Sequence, residues 1–360
     1  MLDENKTTLS LCRFLNNNLE LEKQLKNEDL NYPYILGELL FNRMGGIAYG
    51  VLKNNNLLKY VNREFKSTLE IIYNAQCEKT KSFIKSLKYL SEILSKVNIP
   101  YVLLKGAKLV NIYPLGYRTS NDIDILISKT NVTTISNLLL KNGFKQGYVM
   151  SGEFVAATRK EIIYSKLNRG ETVPFIKEIN QPQMRFLEID LNLSLDFKPS
   201  QGDIISDFLN EDNCYKNSIG LKMLKDCYFI SHLCVHLFKE ATIYDWVEMK
   251  RDLSLYKFCD LYLMLSSFKK ENFEELFLTI KKFNLQKECY YAILYTKMLF
   301  SIDDANLDMF LNLIKPNNTE FLNEVFYPKN KKIYKYPEKF TIEKRIFNKN
   351  RKAMLVEINE

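Results

Sequence analysis

Asn121-Asp-Ile-Asp-Ile-Leu-Ile127 is the stretch on which the reading of this chain turns. Ile123, Ile125 and Ile127 alternate with Asp122, Asp124 and Leu126, the period-two pattern of a β-strand. Side chains along a strand point alternately to its two faces, so both carboxylates share one face and the isoleucines the other. Two carboxylates that close repel unless something positive sits between them. A divalent cation is the usual partner, and Mg2+ takes one or two carboxylates with water and phosphate oxygens completing its shell. Asp-x-Asp alone is also what a solvated sheet face looks like, so the flanking sequence has to decide.

Upstream, Tyr101-Val-Leu-Leu104 is an apolar run of strand length, followed at once by Lys105-Gly106. Ala107 to Tyr113 has the length of one or two helical turns, and Pro114 and Gly116 make a turn that leads through Arg118 into the carboxylate strand. A glycine between strand and helix lets backbone N–H groups approach a phosphate. Lys105 and Arg118 are the cations placed to meet a triphosphate. The plainer readings are a solvent-facing lysine at a strand end, and an arginine that ties its loop to Asp122 or Asp124.

Downstream, 131–142 reads as an amphipathic helix with Val132, Ile135, Leu138 and Leu139 on one side and Gly143 as its stop. The segment 149–183 mixes polar and apolar residues and suggests a hairpin or a mobile loop. From Met184 to Leu195 the alternation returns: Phe186, Glu188, Asp190 and Asn192 face one way, and Leu187, Ile189, Leu191 and Leu193 the other. Asp190 is the natural third carboxylate, with Glu188 on the same face as the fallback. A third carboxylate allows two ions to share the site and to stabilise both the attacking and the leaving oxygen of an in-line phosphoryl displacement.

The rest of the chain bounds this reading. Its 360 residues suggest two or three domains at ~150 residues each. A hydrophobic content of 46% supports a buried core and excludes a disordered chain. Only 12 glycines occur, and no Gly-x-Gly-x-x-Gly or Gly-x4-Gly-Lys-Ser/Thr motif is among them. The net charge of +8 is confined to the stretch from Lys329 to Lys352, with ten Lys or Arg and two Glu, so the remaining chain is neutral. Seven scattered cysteines without a Cys-x-x-Cys pair read as reduced thiols. No signal-like N-terminus and no run of ~18 apolar residues is present, so a cytoplasmic protein without membrane attachment is expected. Residues 6–97 and 203–315 carry helical periodicity.

The order Leu104-Lys105-Gly106, Tyr113-Pro114, Arg118, Asp122-Ile123-Asp124-Ile125-Leu126 and a later Asp190 resembles the polymerase-β-like nucleotidyltransferase superfamily. More narrowly, it is similar to a bacterial group known only as nucleotidyltransferase family proteins. The resemblance is specific over 99–145 and weaker in the flanking helices. It implies Mg2+-dependent transfer of a nucleoside monophosphate from a nucleoside triphosphate to an acceptor, with release of pyrophosphate. Asp122, Asp124 and Asp190 would be metal ligands, and Asp190 would also be a base for the acceptor hydroxyl. Lys105 and the Gly106 turn would hold the triphosphate. Three features depart from the pattern: Gly106-Ala107 replaces the usual Gly-Ser or Gly-Gly, the gap from Gly106 to Asp122 is long, and Asn192 stands where the group often has a histidine.

The expectation is an α+β protein with a small mixed-sheet nucleotidyltransferase core at 99–200, a helical segment at 1–98, a helical domain at 201–327 and a basic tail at 328–360. The site would lie in the cleft between the sheet and those helices, because one sheet face must stay open for metal and nucleotide. Two Mg2+ ions and a nucleoside triphosphate are the expected cofactor and co-substrate. The neutral body points to a small-molecule acceptor such as a sugar, antibiotic or natural-product intermediate. The alternatives are nucleotidylation of a protein side chain or tRNA end, and a catalytically silent binding module. The basic tail, with Tyr334, Tyr336, Phe340 and Phe347 between its charges, offers a grip for nucleic acid or a segment folded across the protein. His232 and His236, spaced i and i+4, read chiefly as packing residues, with metal binding or substrate contact as the sharper alternatives.

Overall fold

The computed structural model describes residues 2–15, 19–195 and 204–358, so 196–200 of the expected core lie outside it. Helices outnumber strands, and the strands gather mainly into one mixed sheet, giving an α+β fold. Two compact units result: residues 74–229, and residues 1–73 together with 230–360.

Unit 74–229 holds the carboxylates. Its strands are β1 (Tyr101–Leu103), β2 (Asp122–Ile127), β3 (Lys145–Met150), β4 (Glu153–Ala156), β5 (Phe175–Gln181), β6 (Met184–Asn192), β7 (Cys214–Lys216) and β8 (Lys222–Leu224). They line up as β4-β3-β5-β6-β2-β1-β8-β7. The pairs β2–β6 and β1–β8 are parallel and the others antiparallel. The alternation read in the sequence sets the two faces. Ile123, Ile125 and Ile127 of β2 and Leu187, Ile189 and Leu191 of β6 are fully buried against Phe83, Leu87 and Leu90 of helix Arg63–Leu94 and Ile135 and Leu139 of helix Val132–Lys141. Each such side chain contributes ~1.5–3 kcal/mol of burial. A one-residue slip would put the isoleucines on the polar face, so the apolar pattern also fixes which way the carboxylates point. Helix Val132–Lys141 ends as expected, with Asn142 closing on Leu138 and Gly143 taking a φ of +85°.

The segment 149–183 is ordered rather than a loose loop. Strands β3 and β4 form a hairpin across Ser151 (φ +51°) and Gly152 (φ +82°), a two-residue turn with both central residues left-handed. Thr158 and Glu161 form a capping box that starts helix Arg159–Tyr164; a π-helical turn, Ser165–Arg169, follows, and then β5. Strands β7 and β8 likewise interrupt the helical stretch expected from 203 onward.

The other unit is mostly helical. Its last residues add a three-stranded antiparallel sheet of β9 (Glu324–Tyr327), β10 (Lys332–Lys335) and β11 (Val356–Glu357). The basic stretch is woven into this unit. Arg351 is 2% exposed and makes a two-pronged ion pair with Asp252, Nε to Oδ2 at 2.7 Å and Nη2 to Oδ1 at 2.5 Å. Lys329, Lys332, Lys335, Lys349 and Lys352 pair with Asp245, Glu357, Glu320, Glu38 and Glu248. Among the described residues no helix is long and apolar enough to cross a membrane.

Candidate active site

Strand β2 enters the site beside β6 in a parallel register that sets Asp122 across from Glu188 and Asp124 across from Asp190. Neighbouring strands lie ~4.8 Å apart, so four carboxylates occupy a two-by-two patch on the sheet face opposite the isoleucines. Asp124 sits deepest, 5% exposed. Its Oδ1 accepts hydrogen bonds from Lys105 Nζ at 3.0 Å and from Asn192 Nδ2 at 3.2 Å.

Lys105 reaches this oxygen because of the backbone around it. Strand β1 runs antiparallel to β2, and the Leu104 N–H donates to the Asp124 carbonyl at 3.0 Å, extending the ladder up to Lys105. Lys105 then takes φ +43° and ψ −116°, a strained conformation for a residue with a side chain. Gly106 follows and opens a single helical turn, Gly106–Leu109. Its glycine is needed for space: a Cβ there would lie 2.0 Å from Ser120 Oγ and 2.7 Å from Ser120 Cβ. The positive φ at this turn is carried by the lysine before the glycine. Lys108, on the same turn, is buried and holds the Leu224 carbonyl and Asp226, each through Nζ, at 2.7 and 2.5 Å.

Charge at the site is badly out of balance. Burial, then Asp122 and Asp124, push Glu188 up to about 7. Burial and the neighbouring Asp124 raise Asp122, with Lys105 and Arg118 opposing. Asp190 is raised well above the usual range by burial and by Asp124, Asp122, Glu188 and Glu171 in turn.

Asp122, Asp124, Asp190, Glu188 and Lys105 therefore come together. Arg118 is close enough to Asp122 to favour its ionised form; its guanidinium donates to the Thr119 carbonyl, and its own carbonyl accepts from Thr80 Oγ1 at 3.2 Å. His232 and His236 fall in the other unit, where their rings stack 6.2 Å apart and His236 Nε2 lies 3.5 Å from Glu240. Two contributors escaped the sequence reading. Asn192 acts as a donor to Asp124, although alternation had already put it on the right face. Glu171, bridged to Asn192 through the backbone and ion-paired to Arg169 at 2.7 Å, comes from the segment without a readable pattern.

A family model described as an uncharacterised nucleotidyltransferase matches residues 39–301, nearly three-quarters of the chain. The chain belongs to this nucleotidyltransferase family. It is thus an enzyme of phosphorus-group transfer, and the match takes in every strand of the mixed sheet. No curated protein and no solved structure matches it.

The nucleotidyltransferase's donor set suits a hard divalent cation. Its oxygens are all carboxylate, and at Asp122 the cations Lys105 and Arg118 oppose the repulsion between them. Among the described residues no three His, Cys, Asp or Glu side chains stand ready-made as a metal cage. Mg2+ does not require one, because one or two carboxylates suffice when substrate phosphates supply the rest.

Proposed function

We propose that this nucleotidyltransferase moves a nucleoside monophosphate from a nucleoside triphosphate to a hydroxyl group of a small molecule, with Mg2+ held by Asp122, Asp124 and Asp190. The observation that carries this reading is the parallel β2–β6 register, which stacks the carboxylates side by side on one sheet face. Bound Mg2+ would neutralise charge on the phosphates and on the attacking oxygen. Lys105 and Arg118 are the cations at hand for the triphosphate. Asp190, whose pKa is raised, is suited to accept the proton of the acceptor hydroxyl as its oxygen bonds to the α-phosphorus and the bond to pyrophosphate breaks.

A small-molecule acceptor is favoured over a nucleic acid by the pairing of the basic stretch. Six of the ten cations between Lys329 and Lys352 already face a carboxylate of their own unit. Few are left to follow a phosphate backbone. A protein side chain as acceptor is the second reading, and the same assay separates it.

The test is incubation with each α-32P-labelled nucleoside triphosphate, Mg2+ and a cell extract, followed by separation of small molecules, protein and RNA. Label is expected in the small-molecule fraction. Asp122→Asn with Asp124→Asn should lower transfer roughly 10^3-fold or more, since several kcal/mol of charge stabilisation is lost. Full activity in that variant would sink the carboxylate mechanism.

A further inference from the structure

The side chain that pairs with Asp124 is its own neighbour across the site, and this bears on how the enzyme is loaded. Asp124 is the deepest of four carboxylates, and one oxygen takes both the Lys105 ammonium and the Asn192 amide. The two donors differ in kind. Asn192 is short, neutral and fixed on β6. Lys105 is a point charge on a flexible stem, 24% exposed, and can exchange a carboxylate for a phosphate without changing its own state. Its backbone is held in the strained conformation from both sides, by the ladder bond of Leu104 to Asp124 and by Gly106 packed hard on Ser120. The strain aims the side chain at the carboxylates, so the contact is built into the fold.

We propose that Lys105 is a resident counter-ion, which keeps Asp124 paired in the empty enzyme and is drawn off by the triphosphate, so that the chain takes up its divalent cation with the nucleotide and only poorly without it. The proposal rests on the carboxylate reading above. With Lys105 in place, an incoming cation must displace a positive charge from the best-buried ligand. With a triphosphate present, the ammonium moves to the phosphate oxygens, Asp124 is freed, and the phosphates complete a coordination shell that the described residues do not supply alone. The site is then protected against idle metal and commits only when both components arrive.

Mn2+ binding to the full chain, followed by electron paramagnetic resonance, tests this without turnover. Wild type, Lys105→Met, Lys105→Arg and the Asp122→Asn/Asp124→Asn variant are titrated alone and with the α,β-methylene analogues of ATP, CTP, GTP and UTP. Wild type should bind Mn2+ weakly alone and tightly with an analogue. Lys105→Met should bind Mn2+ alone about tenfold or more tighter, as expected for removal of a unit charge a few ångströms away, and gain less from the analogue than wild type does. Lys105→Arg, which keeps the charge, should behave as wild type. Equal Mn2+ affinity of wild type and Lys105→Met, with both folded by circular dichroism, overturns the proposal. Binding that ignores loss of both aspartates overturns the carboxylate reading itself, and the proposal with it.

Discussion

Gly106 and Ser120 meet so closely that the lysine's aim depends on a missing methyl group. Gly106→Ala would drive Cβ to within 2.0 Å of Ser120 Oγ and 2.7 Å of Ser120 Cβ, so turning the hydroxyl away does not relieve the contact. A cost of ~1–3 kcal/mol is expected, the range for overpacking a tight contact. Ser120→Ala would leave the clash with Cβ, whereas Ser120→Gly removes it. The double variant Gly106→Ala/Ser120→Gly should therefore recover stability beyond the sum of its parts, measured by denaturant unfolding in a double-mutant cycle. Additive losses would show that the contact does not strain the fold. Glu188 gives a second prediction from a single side chain. Its pKa in the folded protein is about 7 against an ordinary 4.5, so between those values the folded state holds a proton that the unfolded state has released. Stability of the metal-free protein should accordingly fall as pH rises from about 4.5 to about 7, and stay low above that. Asp122 and Asp190 are shifted the same way and add to the trend. In EDTA, Glu188→Gln should flatten the curve and raise Tm near pH 7.5 by on the order of a few °C, read by differential scanning fluorimetry. A variant less stable than wild type at that pH would count against charge repulsion as the cause.

Elements differ in how plainly the chain announces them, and the reason is burial. Strands β2 and β6 each bury one face on helices and leave the other polar, so alternation stands out in both, and with it the positions of Asp122, Asp124, Glu188, Asp190 and Asn192. Their register could not be read, because the pairing of strands some sixty residues apart depends on tertiary packing. Hairpin β3–β4 has a different problem. Val149, Met150 and Val155 are exposed, so apolar residues do not mark an inner face and the period is lost. Strand β5 is broken by a register shift between Glu178 and Gln181. Strands β7 and β8 have three residues each, too few to establish any period. Glu171 sits in the poorly patterned stretch before β5, which is why a carboxylate acting on Asp190 went unseen. At Gly106 the residue type was informative but the reason for it was not: a glycine after a strand suggests close approach of the backbone to a phosphate, while in the fold Ser120 fills the space beside it and Lys105 carries the positive φ.

For the whole molecule, net charge of +8 is a poor guide to partners, because its placement in sequence and in space differ. Along the chain the excess lies between Lys329 and Lys352, which is what a nucleic-acid arm would look like. In the fold that excess meets acids drawn from as far away as Glu38, Asp245, Glu248 and Asp252. Arg345 is buried as well and donates to the carbonyls of Phe340 and Leu322. A cation already committed to a carboxylate releases no counterion when a phosphate approaches, so it adds neither affinity nor salt dependence. A protein contacting six to ten phosphates would lose ~10^3–10^5 in affinity between 50 and 200 mM salt. For this enzyme the expected result is weak tRNA binding even at 50 mM salt, with a shallow slope in a filter-binding series. Neutralising Lys339 and Lys344 together should change that slope little. A steep slope, combined with transferred label in the RNA fraction, would instead make nucleic acid the acceptor and leave the carboxylate chemistry intact.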